Sequence, residues 1–199
     1  MKPKFPVPFG TVFRARLNEH ETDIASWPLP DELKSAHVKR KTEFALGRLA
    51  LQKAFETQRI DLAPDELIFN GFQELLLVPG YRFSISHTDT CALVWLADSD
   101  ECKGIGVDIE PSDRVLSEAV YKKLVHTQDA STLSPIQLWC AKEAAFKAVA
   151  TEHQPDLVVA KIYLEENRFI TEASATAPVS TGKWIQYVND GYIHSFAWR

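Results

Sequence analysis

The segment GIGVDIE, residues 104–110, constrains the fold of this 199-residue chain more than any other. Side chains in an extended strand alternate between two faces. Val107 and Ile109 therefore share one face, and Asp108 and Glu110 share the other. Two acids on one face are typical of a half-buried strand that turns an acidic side to water. They are equally typical of a divalent metal site, because Mg²⁺ binds carboxylates together with substrate phosphates.

A helix further along the chain carries a carboxylate where an apolar residue is expected. Ser134 followed by Pro135 is a helix-start signal, and the segment IQLWCAKEAAFKAVA predicts a helix that continues to residue 150. By spacing, Glu143 lies on the apolar stripe of this helix, where a carboxylate needs a cation or hydrogen-bond donors. The alternative is a weak surface pair between Glu143 and Lys147. The other members of the stripe are Ile136, Trp139, Cys140, Phe146 and Ala150.

The order of elements predicts an α+β fold with two lobes. Residues 31–58 read as one long helix capped by Asp31, and YRFSISH and CALVWLA read as strands joined by a turn. The second helix follows, and the chain then has a hairpin with an Asp190-Gly191 turn. We therefore predict two pseudo-symmetric lobes, residues 1–103 and 104–199, each a small antiparallel sheet packed on a long helix. The polar region 112–133 either holds a short helix at residues 117–125 or is mobile.

The first helix and the strand after it carry candidate anion contacts. Arg48 lies between apolar residues on one helix face, where an arginine either extends to water or pairs bidentately with a phosphate. A basic run, Lys39 to Lys41, is either a solvated face or part of the same anion site. Ser86 and His87 are adjacent in a strand and point to opposite faces, which argues against a nucleophile–base pair.

Composition excludes several classes of protein. The net charge is −5, whereas a general nucleic-acid binder is usually basic. Three cysteines without metal-ligand spacing favour a reducing cytosol over a disulfide framework. The chain shows no signal peptide and no apolar run of about 20 residues, the length that spans a membrane. We expect a cytoplasmic protein that binds neither nucleic acid nor membrane.

Four segments in order, RKTEFALGR, SISHT, GVDIE and WCAKEAAFKA, together resemble the 4′-phosphopantetheinyl transferase superfamily. The resemblance covers about residues 39–150 and is closest to the two-lobed (Sfp-type) form, in its enterobactin-synthase-activating branch. It implies that family's α+β fold, with coenzyme A bound in a cleft between the lobes.

The resemblance also implies roles for individual residues. Asp108, Glu110 and Glu143 correspond to the Mg²⁺ ligands, and Glu143 or a water that it orients is the candidate base. The remaining correspondences are contacts to coenzyme A: Arg40 and Arg48 at the adenosine end with its 3′-phosphate, Ser86 and His87 at phosphates, and Asp108 (through the metal), Lys142 and Lys147 at the diphosphate. Lys147 is grouped with Glu143 as catalytic.

The implied reaction is attack of a carrier-protein serine on the phosphorus that bears the pantetheine arm, with adenosine 3′,5′-bisphosphate as the leaving group. The implied partner is an apo acyl or peptidyl carrier protein. Lys122, Lys123 and His126 are either contacts to the acidic helix of that carrier or an ordinary exposed helix end. The pathway stays open, Mn²⁺ is an alternative to Mg²⁺, and a monomer suffices. Many relatives carry a basic residue upstream of SISH that this chain lacks. Arg82 is the candidate to replace it here. That departure keeps open a module that binds coenzyme A or a carrier without turnover. The acids and lysine also leave a metal-dependent phosphodiesterase or nuclease as a third hypothesis.

Overall fold

The structure is a computed structural model, which describes residues 5–69, 73–129, 132–149, 161–172 and 179–199. The chain divides into two compact units, Met1–Glu101 and Cys102–Arg199. Each unit contains one antiparallel sheet and one long helix, which confirms the α+β class. In the part of the chain that the structure describes, no helix is long and apolar enough to cross a membrane.

The N-terminal unit packs one long helix on a three-stranded sheet with the order β1-β3-β2. Its strands are β1 (Thr11–Arg16), β2 (Tyr81–His87) and β3 (Cys91–Asp98), and its helices are α1 (Glu21–Ala25), α2 (Asp31–Lys34) and α3 (Val38–Thr57). Apolar residues of α3, among them Leu46, Leu51 and Phe55, are fully buried in the core of this unit.

The prediction of one continuous helix over residues 31–58 was wrong, because the chain forms two helices there. His37 has an extended backbone and its ring nitrogen accepts a hydrogen bond from the Lys39 amide at 3.3 Å. His37 is therefore the N-cap of α3. Asp31 makes no capping hydrogen bond, since Pro30 is the N-cap of α2 and no side chain caps it.

The C-terminal unit packs its long helix on a five-stranded sheet with the order β4-β8-β7-β6-β5. Its elements are β4 (Ile105–Pro111), α4 (Glu118–Leu124), α5 (Pro135–Val149), β5 (Ile162–Leu164), β6 (Arg168–Thr171), β7 (Thr181–Asn189) and β8 (Tyr192–Trp198). The predicted hairpin joins β7 to β8, where Asp190 and Gly191 have φ of 52° and 76°. The short helix that the sequence left open is α4, capped by Ser117. Ala150, the predicted end of the apolar stripe, lies outside the described residues.

Helix α5 approaches strand β4 closely, and this contact decides which residues face each other. A β-carbon built at Gly106 would lie 1.9 Å from the carbonyl oxygen of Ala144, so only glycine fits there. Because strand side chains alternate, Asp108 and Glu110 lie on the same side of β4 as this contact. The helix begins with a reciprocal cap: Ser134 accepts from the Gln137 amide, and the Gln137 side chain accepts from the Ser134 amide.

Candidate active site

Strand β4 and helix α5 bring an aspartate and a lysine into direct contact. The Lys147 ammonium lies 2.9 Å from Oδ1 of Asp108 and donates a second hydrogen bond to the Val107 carbonyl at 3.0 Å. Asp108 is buried, with 4% of its surface exposed. The weak Glu143–Lys147 surface pair is therefore not the main partnership of this lysine.

Glu110 is held by two donors that the sequence interpretation did not assign. Arg114, in the loop after β4, pairs with its Oε1 oxygen, and the Trp139 indole donates to the same oxygen at 3.0 Å. The Arg114 guanidinium also lies 5.9 Å from the centre of the Trp139 ring. Burial raises the pKa of Glu110, as does the charge of Asp108, while Arg114 and Trp139 oppose that rise.

Glu143 lies half-buried on α5, among charges from both β4 and its own helix. Burial raises the pKa of its carboxyl to about 7. Asp108 and Glu110 add to the rise, whereas Lys147 and Arg114 oppose it. Asp108 and Glu110 therefore act electrostatically on Glu143.

Lys147 stays positively charged at neutral pH. Burial alone lowers the pKa of its ammonium, but the neighbouring carboxylates of Asp108 and Glu143 outweigh that effect and the net pKa is raised. The site thus combines three acids, one fixed ammonium and one guanidinium.

A sequence comparison identifies the family of this site. The model of the 4′-phosphopantetheinyl transferase superfamily matches residues 104–197, which contain β4, α5 and all three carboxylates. The C-terminal half of the chain belongs to the 4′-phosphopantetheinyl transferase superfamily. Membership indicates a transferase, and the assignment to the Sfp-type branch stays a prediction. No curated protein sequence matches the chain.

The phosphopantetheinyl transferase domain places Lys142 away from this group of charges. Its ammonium is fully buried and donates to Oδ2 of Asp129 and to the Leu124 carbonyl, both at 2.7 Å. Asp129 in turn accepts from the amides of His126 and Leu164. Burial lowers the pKa of Lys142, and Asp129 opposes that effect. These contacts tie the segment after α4 to α5 and β5, and we therefore leave Lys142 out of the proposed diphosphate contacts.

A buried polar row lies beneath α5 in the transferase domain. Asp108 pairs across the sheet with Ser195, which pairs with Gln186 on the next strand. The Gln186 amide donates to Ser195 Oγ at 2.8 Å and to the Gln137 carbonyl at 2.9 Å. Sequence reasoning missed this row because Gln186 and Ser195 look like solvent-facing residues of a hairpin.

The other predicted site residues belong to the N-terminal unit. Arg40 is exposed in the first turn of α3, Ser86 is buried on β2, and His87 is half-buried beside it. The Arg48 guanidinium lies 3.5 Å from the centre of the Phe69 ring. Burial lowers the pKa of Arg48 to about 10, which leaves it charged at neutral pH.

The three carboxylates suit Mg²⁺ by their chemistry, since hard cations prefer oxygen ligands. Within the ranges that the structure describes, no group of three or more His, Cys, Asp or Glu side chains is arranged to hold a metal ion. Asp108 faces Lys147 and Glu110 faces Arg114, so two of the acids contact cations of the protein itself. The donor set fits the ion, and the ligand assignment remains a prediction.

Proposed function

We propose that this protein transfers the 4′-phosphopantetheine group of coenzyme A to a serine of an apo carrier protein and releases adenosine 3′,5′-bisphosphate. The observation that carries the proposal is the convergence of Asp108, Glu110 and Glu143 beside Lys147, within a domain of a superfamily whose members transfer this group. The nucleophile comes from the partner, which is consistent with the lack of an activated serine in the sequence motifs.

The acids and the lysine have distinct proposed tasks. Asp108, Glu110 and Glu143 would hold a Mg²⁺, which would supply positive charge to the coenzyme A diphosphate. Lys147 contributes a permanent positive charge to the same region, because its pKa is raised. Glu143, directly or through a water, accepts the proton of the attacking serine, and its pKa of about 7 suits a base at neutral pH.

The N-terminal unit supplies the proposed contacts to the rest of coenzyme A. Arg48 and Arg40 bind the adenosine end with its 3′-phosphate, and Ser86 and His87 bind phosphate oxygens. The aromatic rings around Arg48 support this role, because they hold the guanidinium in place without neutralising its charge.

Helix α4 is the proposed docking element for the acidic carrier. Lys122 and Lys123 are exposed at its end, although Lys122 also pairs with Glu118 at 2.6 Å. Burial lowers the pKa of His126, and its ring packs edge-on against Tyr163. We therefore assign the electrostatic contribution to the two lysines and not to the histidine.

Mass spectrometry of a panel of apo carriers tests the proposal. With coenzyme A and Mg²⁺, at least one carrier gains the mass of one phosphopantetheine. Glu110→Gln and Glu143→Gln abolish the gain, whereas Glu32→Gln, a change at an exposed carboxylate of α2, leaves it intact. Full activity in both of the first two variants would contradict the assignment of the acids.

A binding module without turnover is the second candidate, and the position of Arg82 favours it. The Arg82 guanidinium pairs with Glu74 at 3.2 Å, which weakens its claim to replace the missing upstream basic residue. Calorimetry that shows tight coenzyme A binding, with no modified carrier after long incubation of the whole panel, would favour the module over the enzyme.

A further inference from the structure

Arg114 forms an ion pair with Glu110, one of the proposed metal ligands. Its guanidinium pairs with Oε1 of Glu110, the oxygen that also accepts from the Trp139 indole. Of the two paired side chains, Glu110 is 10% exposed and Arg114 is 46% exposed. The arginine therefore closes over the carboxylate from the solvent side.

The pair joins an exposed side chain to a buried one. Arg114 follows β4 in a loop, so its side chain can leave for water with little change in the fold. Glu110 lies on a buried strand and keeps its hydrogen bond from Trp139 when the arginine leaves. The two donors fill the lone pairs of Oε1, and the positive charge of the guanidinium repels a cation from the other oxygen of the same carboxylate. A divalent ion and a guanidinium thus compete for the same group.

The surrounding charges make the competition specific to Arg114. Asp108 is held by Lys147, and the charge of Arg114 also acts on Glu143. Arg114 and Lys147 each touch one proposed ligand and act on Glu143, and Arg114 is the more exposed of the two side chains, at 46% against 22%. Removal of the Arg114 guanidinium therefore changes the metal site and leaves the pair of Lys147 with Asp108 in place.

We propose that Arg114 is a latch on Glu110, which competes with the divalent ion and sets the affinity of the site for it, while Trp139 keeps the carboxylate aimed. This inference rests on the metal ligands of the proposed function. It assigns to Arg114 and Trp139 roles in positioning a ligand and not in the reaction itself.

Metal binding without coenzyme A tests the latch independently of activity. Mn²⁺ is titrated into the whole protein at fixed ionic strength, and free Mn²⁺ is counted by electron paramagnetic resonance. Arg114→Gln binds Mn²⁺ about threefold to tenfold more tightly than the unaltered protein, the range expected when one charge-assisted hydrogen bond no longer competes. Arg114→Lys gives an intermediate affinity, because lysine keeps the charge and loses the planar fork.

A matched control separates the contact from net charge. Lys34→Gln removes the same charge from an exposed pair with Asp31 in α2, and it leaves the Mn²⁺ affinity unchanged. Equal affinities for Arg114→Gln and the unaltered protein would overturn the latch. So would an Arg114→Lys affinity equal to that of the unaltered protein, since charge alone would then account for the effect.

The failure of the proposed function gives a different pattern. If neither the unaltered protein nor any variant binds Mn²⁺, the proposed metal site and the proposed role of Arg114 are both wrong. If Mn²⁺ binds and Glu110→Gln abolishes binding, but Arg114→Gln changes nothing, only the latch is wrong and the metal assignment stands.

Discussion

Replacing Glu143 by glutamine makes the protein more stable at high pH, and the gain disappears as the pH falls. Burial raises the pKa of Glu143 from 4.5 to about 7 in the folded chain. Between these values the folded protein holds a proton that the unfolded chain has released. The burial penalty therefore begins near pH 4.5 and is complete above pH 7. Glutamine has a similar shape and carries no charge at any pH.

The size of the effect follows from the two pKa values. By linkage, ionised Glu143 lowers the free energy of unfolding by about 3 kcal/mol at pH 8 and by about 1 kcal/mol at pH 5. Urea unfolding of both proteins in chelator, at several pH values, measures this difference. We expect the advantage of Glu143→Gln to grow by about 2.5 kcal/mol from pH 5 to pH 8.

Added metal reduces the stability advantage of Glu143→Gln if the carboxylate is a ligand. At ten times its Kd, Mg²⁺ stabilises the unaltered protein by about 1.4 kcal/mol and stabilises Glu143→Gln less. The exposed variant Glu32→Gln serves as the control, and we expect it to match the unaltered protein at every pH and in added Mg²⁺. If the difference in stability between the unaltered protein and Glu143→Gln does not change from pH 5 to pH 8, the placement of this carboxyl among buried charges is refuted.

Three further predictions concern packing. Lys142→Met leaves Asp129 buried without its cation and lowers the free energy of unfolding by about 3–5 kcal/mol in urea titrations; a loss under 1 kcal/mol would contradict the buried pair. Gly106→Ala forces a β-carbon against the Ala144 carbonyl and costs about 1–3 kcal/mol or more by the same measurement, whereas a neutral result would mean that α5 lies further from β4. Cys140 reacts with a thiol reagent at pH 8 only after unfolding, because burial raises its pKa well above the usual value, so rapid labelling of the native protein would disprove that environment.

The local patterns were sufficient to predict the element on which each of the three acids lies. A period of two placed Asp108 and Glu110 on one face, and a period of 3.6 placed Glu143 on the inward stripe of α5. Both elements formed where the pattern predicted them, and the turn and cap signals gave their ends to within a residue or two.

The partners of the buried charged residues were beyond local reasoning. Arg114 reaches Glu110 because the loop after β4 turns back, and Lys142 is buried because Asp129 lies across it after folding. Periodicity gives the face on which a residue lies and not what a distant segment brings to it. The break before α3 was equally hard to predict, because histidine is not among the preferred N-cap residues, although the His37 ring accepts the Lys39 amide in the fold.

A crystal structure of the protein with coenzyme A and Mn²⁺, with data collected for anomalous scattering, tests the central claim most directly. The account predicts one Mn²⁺ peak in contact with Asp108, Glu110 and Glu143 and with the coenzyme A diphosphate, and a guanidinium of Arg114 that has left Glu110. A peak away from these carboxylates, or coenzyme A bound while Arg114 still pairs with Glu110 and the three acids hold no ion, would contradict it.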